Sequence, residues 1–141
     1  PTGGVNATGV NATTFAGSSP TRAELLSQMD DLANDDVDLT AVRWCVSPTM
    51  AVLLHSVVDA ANRPVYDGQS MFGLPVHVSA NVPSGKVLVG DWRQLVVPMW
   101  GRVEVSRSKS VRANFTERFR SIVLADIAII RPSAFSVGSV S

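Results

Sequence analysis

A strand pattern gives way directly to a helix start in the stretch Val42-Arg43-Trp44-Cys45-Val46-Ser47-Pro48. Large apolar residues alternate with other residues in its first part, as they do on a strand with one face in a core. Ser47 is a favoured helix N-cap, and Pro48 suits the first helical position. A broad apolar stripe follows at Met50, Leu53, Leu54, Val57, Val58 and Ala61. We therefore predict a strand over about 40–46 and a helix over about 48–61.

An amphipathic helix is predicted upstream, over about 22–34. Thr21 and Glu24 have the spacing of a capping box, in which each side chain accepts a hydrogen bond from the other residue's backbone N–H. Apolar residues then recur at steps of three and four, namely Leu25, Leu26, Met29, Leu32 and Ala33. One face of this helix is therefore expected to pack inward.

The first 19 residues are rich in Gly, Asn, Thr and Ser, and they contain the pentapeptide Gly-Val-Asn-Ala-Thr twice. Two copies are too few for a solenoid, so we predict a loop or a short hairpin over 1–19. The start Pro1-Thr2-Gly3-Gly4 has neither an initiator Met nor the basic and apolar regions of a secretory signal. We therefore expect that the chain was cut from inside a longer polypeptide.

The second half of the chain is expected to consist mostly of strands. Short apolar runs at 74–78, 86–89, 94–97 and 102–106 are separated by Gly and Pro, a pattern typical of antiparallel strands.

A longer apolar run at 119–130 fits either a buried helix or a strand buried on both faces, by periodicity alone. Its Ile and Val content and the closing Arg131-Pro132 favour the strand. The whole pattern predicts the α+β class, with a mixed or antiparallel sheet flanked by two helices.

The composition predicts one domain whose surface is partly covered by a partner. At 141 residues and 45% hydrophobic, the chain can bury the core of one domain. Its charged fraction is 17%, below the roughly 25% of typical soluble domains. Lys and Arg together number 12, as do Asp and Glu, so the net charge gives no reason to expect nucleic acid or a membrane as partner. The single Cys45 excludes an intrachain disulfide and fits a reducing cytoplasm.

No residue pattern in the chain predicts catalysis, a cofactor or a metal ion. His55 and His77 lie on different predicted elements, and neither has a Cys or a carboxylate at the spacing of a metal site or of a nucleophile with its base. A calcium loop starting at Asp31 would have Ala33 at its third position and Val42 where a bidentate Glu belongs. We therefore expect neither enzymatic activity nor a bound cofactor or metal.

The most suggestive charged feature is a basic segment at 102–120. Nucleic-acid binding is one explanation, since clustered cations release counterions from phosphates, but aromatic residues for base stacking are sparse there. Contact with the acidic segment 30–38 of a neighbouring copy is the other, and we favour it because unlike patches on one chain permit head-to-tail rings. The candidate intersubunit contacts are Asp30, Asp31, Asp35 and Asp36 on the acidic side and Arg107, Lys109, Arg112 and Arg118 on the basic side.

Three aromatic residues near predicted turns, Phe72, Trp92 and Trp100, are further candidate contacts. Two interpretations stay open for them. They cap the ends of the subunit's own core, or they anchor neighbouring copies as interface aromatics often do.

Several short motifs are more informative in their order than singly. From first to last they are Gly73-Leu74-Pro75-Val76, Gly90-Asp91-Trp92, Glu104-Val105-Ser106 and Arg131-Pro132-Ser133-Ala134-Phe135. In this order and spacing the chain resembles the C-terminal half of tailed-bacteriophage major capsid proteins of the Hong Kong 97 type. The resemblance covers nearly the whole chain.

The resemblance implies a structural subunit that is not an enzyme. Such subunits form pentamers and hexamers of an icosahedral shell around double-stranded DNA, so the expected location is the virion, after synthesis in the bacterial host cytoplasm. The implied partners are other copies of the chain and portal, scaffold or decoration proteins, without sequence-specific nucleic acid or membrane contact. Within the family's fold, about 1–19 would be a loop or hairpin, about 20–106 the axial domain, and about 107–141 long strands leading into the peripheral domain.

Overall fold

The computed structural model describes residues 7–109 and 117–140. Within these ranges the chain forms two α-helices and ten strands. In chain order they are β1 (Asn11–Phe15), α1 (Arg22–Asn34), β2 (Arg43–Val46), α2 (Pro48–Leu54), β3 (Ser70–Met71), β4 (Leu74–Val78), β5 (Lys86–Gly90), β6 (Leu95–Val96), β7 (Met99–Lys109), β8 (Glu117–Ala125), β9 (Ala128–Ile129) and β10 (Phe135–Val140).

Six of these strands form one mixed sheet in the order β1-β10-β5-β2-β4-β3. β1 is parallel to β10 and β2 is parallel to β4, whereas β5 is antiparallel to both of its neighbours. We call this sheet, together with α1 and α2, the body. The predicted α+β class, with a mixed sheet and two helices, is confirmed.

The core lies between α1 and one face of the body's sheet. Strand register places Trp44, Val89 and Ser136 side by side on β2, β5 and β10, and all three are fully buried. From α1, Leu25 and Leu32 are also 0% exposed. Burying one such large apolar side chain contributes about 1.5–3 kcal/mol. The body therefore builds its core from its own residues.

The helix α1 begins and ends where the sequence predicts. The Thr21 hydroxyl accepts a hydrogen bond from the Glu24 backbone N–H at 3.3 Å, and the Glu24 carboxylate accepts one from the Thr21 N–H at 2.7 Å. The pKa of Glu24 lies below its ordinary value, chiefly because its carboxylate accepts from the Ala16 backbone N–H at 2.7 Å, and then because it accepts from the Thr21 N–H. The predicted capping box is present.

The helix α2 is shorter than predicted, because it ends at Leu54 and not near 61. Ser47 caps its start, accepting from the Met50 N–H at 3.3 Å. Past the helix, the Asp59 carboxylate accepts from the backbone N–H groups of Ala61 and Arg63. This local turn competes with helix formation, as Asp side chains commonly do, so the prediction of a helix to 61 is wrong.

Residues 11–15 form a strand, where a loop or hairpin was predicted. Their partner is β10, more than a hundred residues later in the chain, so no local pattern announces the pairing. The Phe15 side chain is fully buried and lies over Gly138 of β10, where a Cβ would overlap its ring. The prediction of a loop or hairpin is therefore wrong for residues 11–15.

The apolar run at 119–130 is a strand only as far as Ala125. The Asp126 backbone N–H donates to the Pro98 carbonyl at 3.1 Å, and the Asp126 carboxylate accepts from the Ile127 N–H. The chain turns here, and β9 then pairs with β6. The strand type is confirmed for the first part of the run, but burial on both faces is wrong, since Phe119 is 66% exposed.

Among the described strands, β7 and β8 pair only with each other, as an antiparallel two-stranded unit that we call the ribbon. β10 then returns to the body's sheet, beside β5. Between β5, which ends at Gly90, and β10, the described part of the chain therefore lies outside the body's sheet, in the pairs β6-β9 and β7-β8. The assignment of axial and peripheral domains stays a prediction.

Candidate intersubunit surface

The ribbon has two faces of different chemistry. The register pairs Trp100 with Leu124 and Glu104 with Ile122, with an irregularity between these two pairs. Because side chains alternate along a strand, the two faces can be assigned from this register. The amphipathic face carries Trp100, Arg102, Glu104, Arg120, Ile122 and Leu124. The apolar face carries Met99, Val103, Val105, Phe119 and Val123.

Both faces leave large apolar side chains in solvent. On the apolar face, Val105 is 68% exposed and Phe119 is 66% exposed. On the amphipathic face, Leu124 is 64% exposed and Trp100 is 56% exposed. Monomeric soluble proteins rarely expose contiguous apolar patches of more than a few hundred Å². The ribbon is therefore a candidate surface for contact with protein.

Of the three predicted aromatic contacts, only Trp100 is mainly exposed. Trp92 lies edge-on to Phe135, with ring centroids 5.6 Å apart, and its indole N–H donates to the Arg43 carbonyl at 3.1 Å. The ring centroids of Phe72 and Trp44 are 6.4 Å apart, and Phe72 packs against the core. These contacts favour the core-capping interpretation for Trp92 and Phe72, and the anchoring interpretation for Trp100.

The basic residues of the ribbon differ in whether they form an ion pair within the chain. Arg107 forms an ion pair with Glu117 across the ribbon and lies 5.9 Å from the centroid of the Phe119 ring. Arg102 and Arg120 are exposed, and neither forms an ion pair within residues 7–109 and 117–140. Arg112 lies outside the described residues, as do the side chains of Lys109 and Arg118.

The predicted acidic contacts gather at the C-terminal end of α1. Asp30 accepts a hydrogen bond from the Asn34 amide at 3.3 Å, and Asp35 accepts one from the Asn11 amide at 2.8 Å. The Arg131 guanidinium donates to the Asp35 carbonyl. In the described part of the chain, Asp30, Asp31 and Asp36 have no ion-pair partner. Among the described side chains, these acids form no ion pair with Arg102, Arg107 or Arg120 within one copy.

Arg93 joins two carboxylates, although no sequence motif marked it. Its guanidinium donates to both oxygens of the buried Asp91, including Nη2 to Oδ2 at 2.9 Å, and lies 3.5 Å from Asp38. These hydrogen bonds hold the pKa of Asp91 below its ordinary value. The Asp-x-Arg spacing after Gly90 was the available signal. This cluster fixes the turn at the end of β5 and the segment after α1.

The histidines and the cysteine do not form a catalytic group. Cys45 and His77 are neighbours on β2 and β4, and burial raises the pKa of the Cys45 thiol. A thiol with a raised pKa is a poor nucleophile at neutral pH. His55 lies elsewhere, with its ring tilted against the Tyr66 ring and the two ring centroids 4.6 Å apart.

Across the described ranges, no three His, Cys, Asp or Glu side chains are grouped so that they could hold a metal ion. Among the same residues, no helix has the length and apolar character needed to cross a membrane.

Known proteins share this architecture. The chain matches the family model described as Phage capsid family over residues 1–140. No curated protein matches it. Among solved structures, the capsid of an empty GTA particle is similar with a TM-score of 0.73 and 13% identity, over 100% of this chain and 56% of that chain.

Two further solved structures are similar to the chain. A structure from Mycobacterium phage Che8 has a TM-score of 0.68 and 15% identity, over 91% of this chain and 53% of that chain. A virus-like particle from Pyrococcus furiosus has a TM-score of 0.66 and 15% identity, over 96% of this chain and 58% of that chain. The chain thus spans little more than half the length of the proteins it resembles, and its fold is theirs. From the family match over residues 1–140, the chain belongs to the phage capsid family.

Proposed function

We propose that this chain is part of a major capsid subunit that self-assembles as pentamers and hexamers into an icosahedral shell around double-stranded DNA. The ribbon is the observation that carries the proposal. It exposes valine, leucine and aromatic side chains on both faces, with Val105 at 68% and Leu124 at 64%. Other copies of the chain are the occupant we propose for this surface, because the similar structures include two particle capsids.

A structural role needs no catalytic group, and membership of the phage capsid family favours such a role. Cys45 is a half-buried thiol with a raised pKa, and His77 beside it has no carboxylate partner in the described part of the chain. We therefore propose no enzymatic activity. The low charged fraction of 17% also fits a subunit whose surface is shared with neighbours.

The alternative, a nucleic-acid-binding module that uses 102–120, has no support from the comparisons. Arg107 is already paired with Glu117, which removes one cation from the basic segment. The whole chain is also neutral, with 12 cationic and 12 anionic residues. Contact with packaged DNA would then be non-specific and secondary to assembly.

The remaining parts of the proposal follow from a capsid role. The assembled subunit would reside in the virion after synthesis in the bacterial host cytoplasm. Portal, scaffold or decoration proteins would be further partners, each meeting the shell from a surface that the subunit contacts leave free.

The proposal can be tested by light scattering of the protein at its full natural length, produced without other phage proteins. We expect a concentration-dependent shift to species of five or six subunits or larger. A single monomeric mass at every concentration and salt would contradict the proposal. DNA affinity that falls steeply with salt, in a protein that stays monomeric, would favour the nucleic-acid module.

A further inference from the structure

We infer that the amphipathic face of the ribbon docks onto the outer groove of α1 in a second copy of the chain. The inference rests on the proposed self-association and names the two surfaces that meet. It makes the contact head-to-tail, since the ribbon and α1 are different parts of the chain.

The ribbon contributes an apolar centre with unpaired cations. Trp100, Ile122 and Leu124 line an open pocket of about 140 Å³ together with Arg102 and Glu104. Arg120 lies on the same face, two register positions nearer the tip than Ile122. As neither arginine has an ion-pair partner in the part of the chain that is described, this face presents net positive charge around an exposed tryptophan.

α1 contributes an apolar groove with unpaired acids. The groove has a volume of about 540 Å³, and its lining includes Leu26, Met29, Leu39 and Asp30. Leu26 and Met29 are half-buried, so the groove has an apolar floor. Asp30 stands at its border without a cationic partner among the described residues. The groove thus combines apolar side chains with one unpaired carboxylate, and the ribbon face combines apolar side chains with two unpaired arginines and Glu104.

The C-terminal end of α1 adds to this negative charge. A helix dipole leaves partial negative charge at the C-terminus, where Lys or Arg is normally favoured and Asp is not. The last turn of α1 contains no basic residue, and Asp31, Asp35 and Asp36 lie in or after it. Within the chain, Arg131 donates to one carbonyl there. Arginines from a second copy would relieve the remaining unfavourable electrostatics.

Arg107 does not belong to the proposed contact, although it lies in the same basic segment. It is on the opposite face from Arg120 by register, and its guanidinium is paired with Glu117. We therefore assign Arg102 and Arg120 to the contact with the second copy, and Arg107 to an ion pair within the ribbon.

The test is a charge exchange in the full-length protein, with assembly followed by light scattering. Arg102→Glu combined with Arg120→Glu should raise the concentration needed for assembly about tenfold or more, because like charges then meet across the contact. Asp30→Arg should have a similar effect. This variant should also fold well, since a cation near the C-terminal end of α1 is favourable. Combining all three changes should restore a large part of the assembly.

Arg63→Gln is the control, because Arg63 is an exposed cation outside both proposed surfaces, and it should change the assembly concentration less than about threefold. Unfolding curves of each variant exclude misfolding, and Arg102→Gln with Arg120→Gln gives a milder version if the double reversal does not fold. The inference is wrong, and the capsid proposal stands, if the wild-type protein assembles but the charge reversals have no effect. The same holds if adding Asp30→Arg to the double arginine reversal does not restore assembly. If the wild-type protein does not assemble at all, the capsid proposal itself fails. Loss of DNA binding without loss of assembly would assign the arginines to nucleic acid and overturn the inference.

Discussion

The body and the ribbon use the same residue types in opposite ways. In the body, Val46, Val87 and Val89 are 0% exposed, because α1 covers their face of the sheet. In the ribbon, Val103 and Val105 are 57% and 68% exposed, and β7 and β8 have only each other. Both regions have β-branched residues in antiparallel register. The difference is that α1 packs over the sheet of the body, whereas no described element packs over the ribbon in this way.

This difference separates residues that maintain the fold from residues that make contacts. A two-stranded unit is at best marginally stable alone in water. The ribbon is therefore expected to gain most of its order from what covers it. Substitutions in the body should change the free energy of unfolding, whereas substitutions in the ribbon should change association.

The largest effect on stability is expected for Phe15→Ala in the body. The side chain is fully buried over Gly138, and its removal leaves a cavity between β1 and β10. The free energy of unfolding should fall by about 3–5 kcal/mol, as measured by urea titration. A loss below about 1 kcal/mol would mean that β1 is not a firm part of the body.

A smaller effect is expected for Asp91→Asn at the end of β5. Arg93 holds the pKa of Asp91 below its ordinary value of 3.8, so the folded state favours the ionised carboxylate. The stabilisation should be fully present above that value and should be lost as the pH falls through the lower pKa of the folded state. At pH 7 the variant should be less stable by about 1–3 kcal/mol.

The pH dependence distinguishes this mechanism from simple loss of a buried side chain. Thermal unfolding of both proteins should be compared from pH 7 down to pH 2. The two curves should converge at low pH, where Asp91 is protonated. A difference that stays constant over this range would contradict a charge-dependent role for the carboxylate.

The next smaller effect is expected for Thr21→Ala at the start of α1. The substitution removes the hydroxyl that accepts from the Glu24 N–H, which should destabilise the protein by about 1 kcal/mol. Thr14→Ala is a suitable control, because Thr14 is exposed on β1. Equal losses of stability in the two variants would argue against a specific capping role.

The smallest effect on unfolding is expected in the ribbon, for Val105→Ser. Its side chain is 68% exposed, so the change in the free energy of unfolding of the monomer should be below about 0.5 kcal/mol. Assembly of the full-length protein should nevertheless weaken, because apolar contact area is lost. If the variant instead destabilises the full-length monomer, the apolar face is covered by another part of the same chain.

Local signals predicted the elements that depend on neighbouring residues. The bounds of α1 follow from its capping box and its apolar spacing. The end of α2 was misplaced, since the apolar residues Val57 and Val58 continue the stripe although the Asp59 carboxylate closes a turn with residues 61 and 63 directly after them. β1 was missed because its hydrogen-bond partner lies at the other end of the chain.

The candidate contacts were only partly accessible from the sequence. Charge clustering identified the acids near α1 and the basic segment, but it could not show that Arg107 pairs with Glu117 across the ribbon. Likewise, the sequence left the roles of Trp92 and Trp100 open. The structure distinguishes them, because the Trp92 ring is half-buried beside Phe135, whereas the Trp100 side chain is 56% exposed. The burial of the run at 119–130 was predicted wrongly. Apolar content alone does not show whether the residues that pack on a strand belong to the same chain or to a partner.

Negative-stain electron microscopy of the protein at its full natural length, produced without other phage proteins, tests the capsid proposal most directly. Closed shells of uniform size, or rings of five and six subunits, are the predicted result. Small particles of monomer size in every buffer would contradict the proposal that the exposed ribbon exists to join copies of this chain.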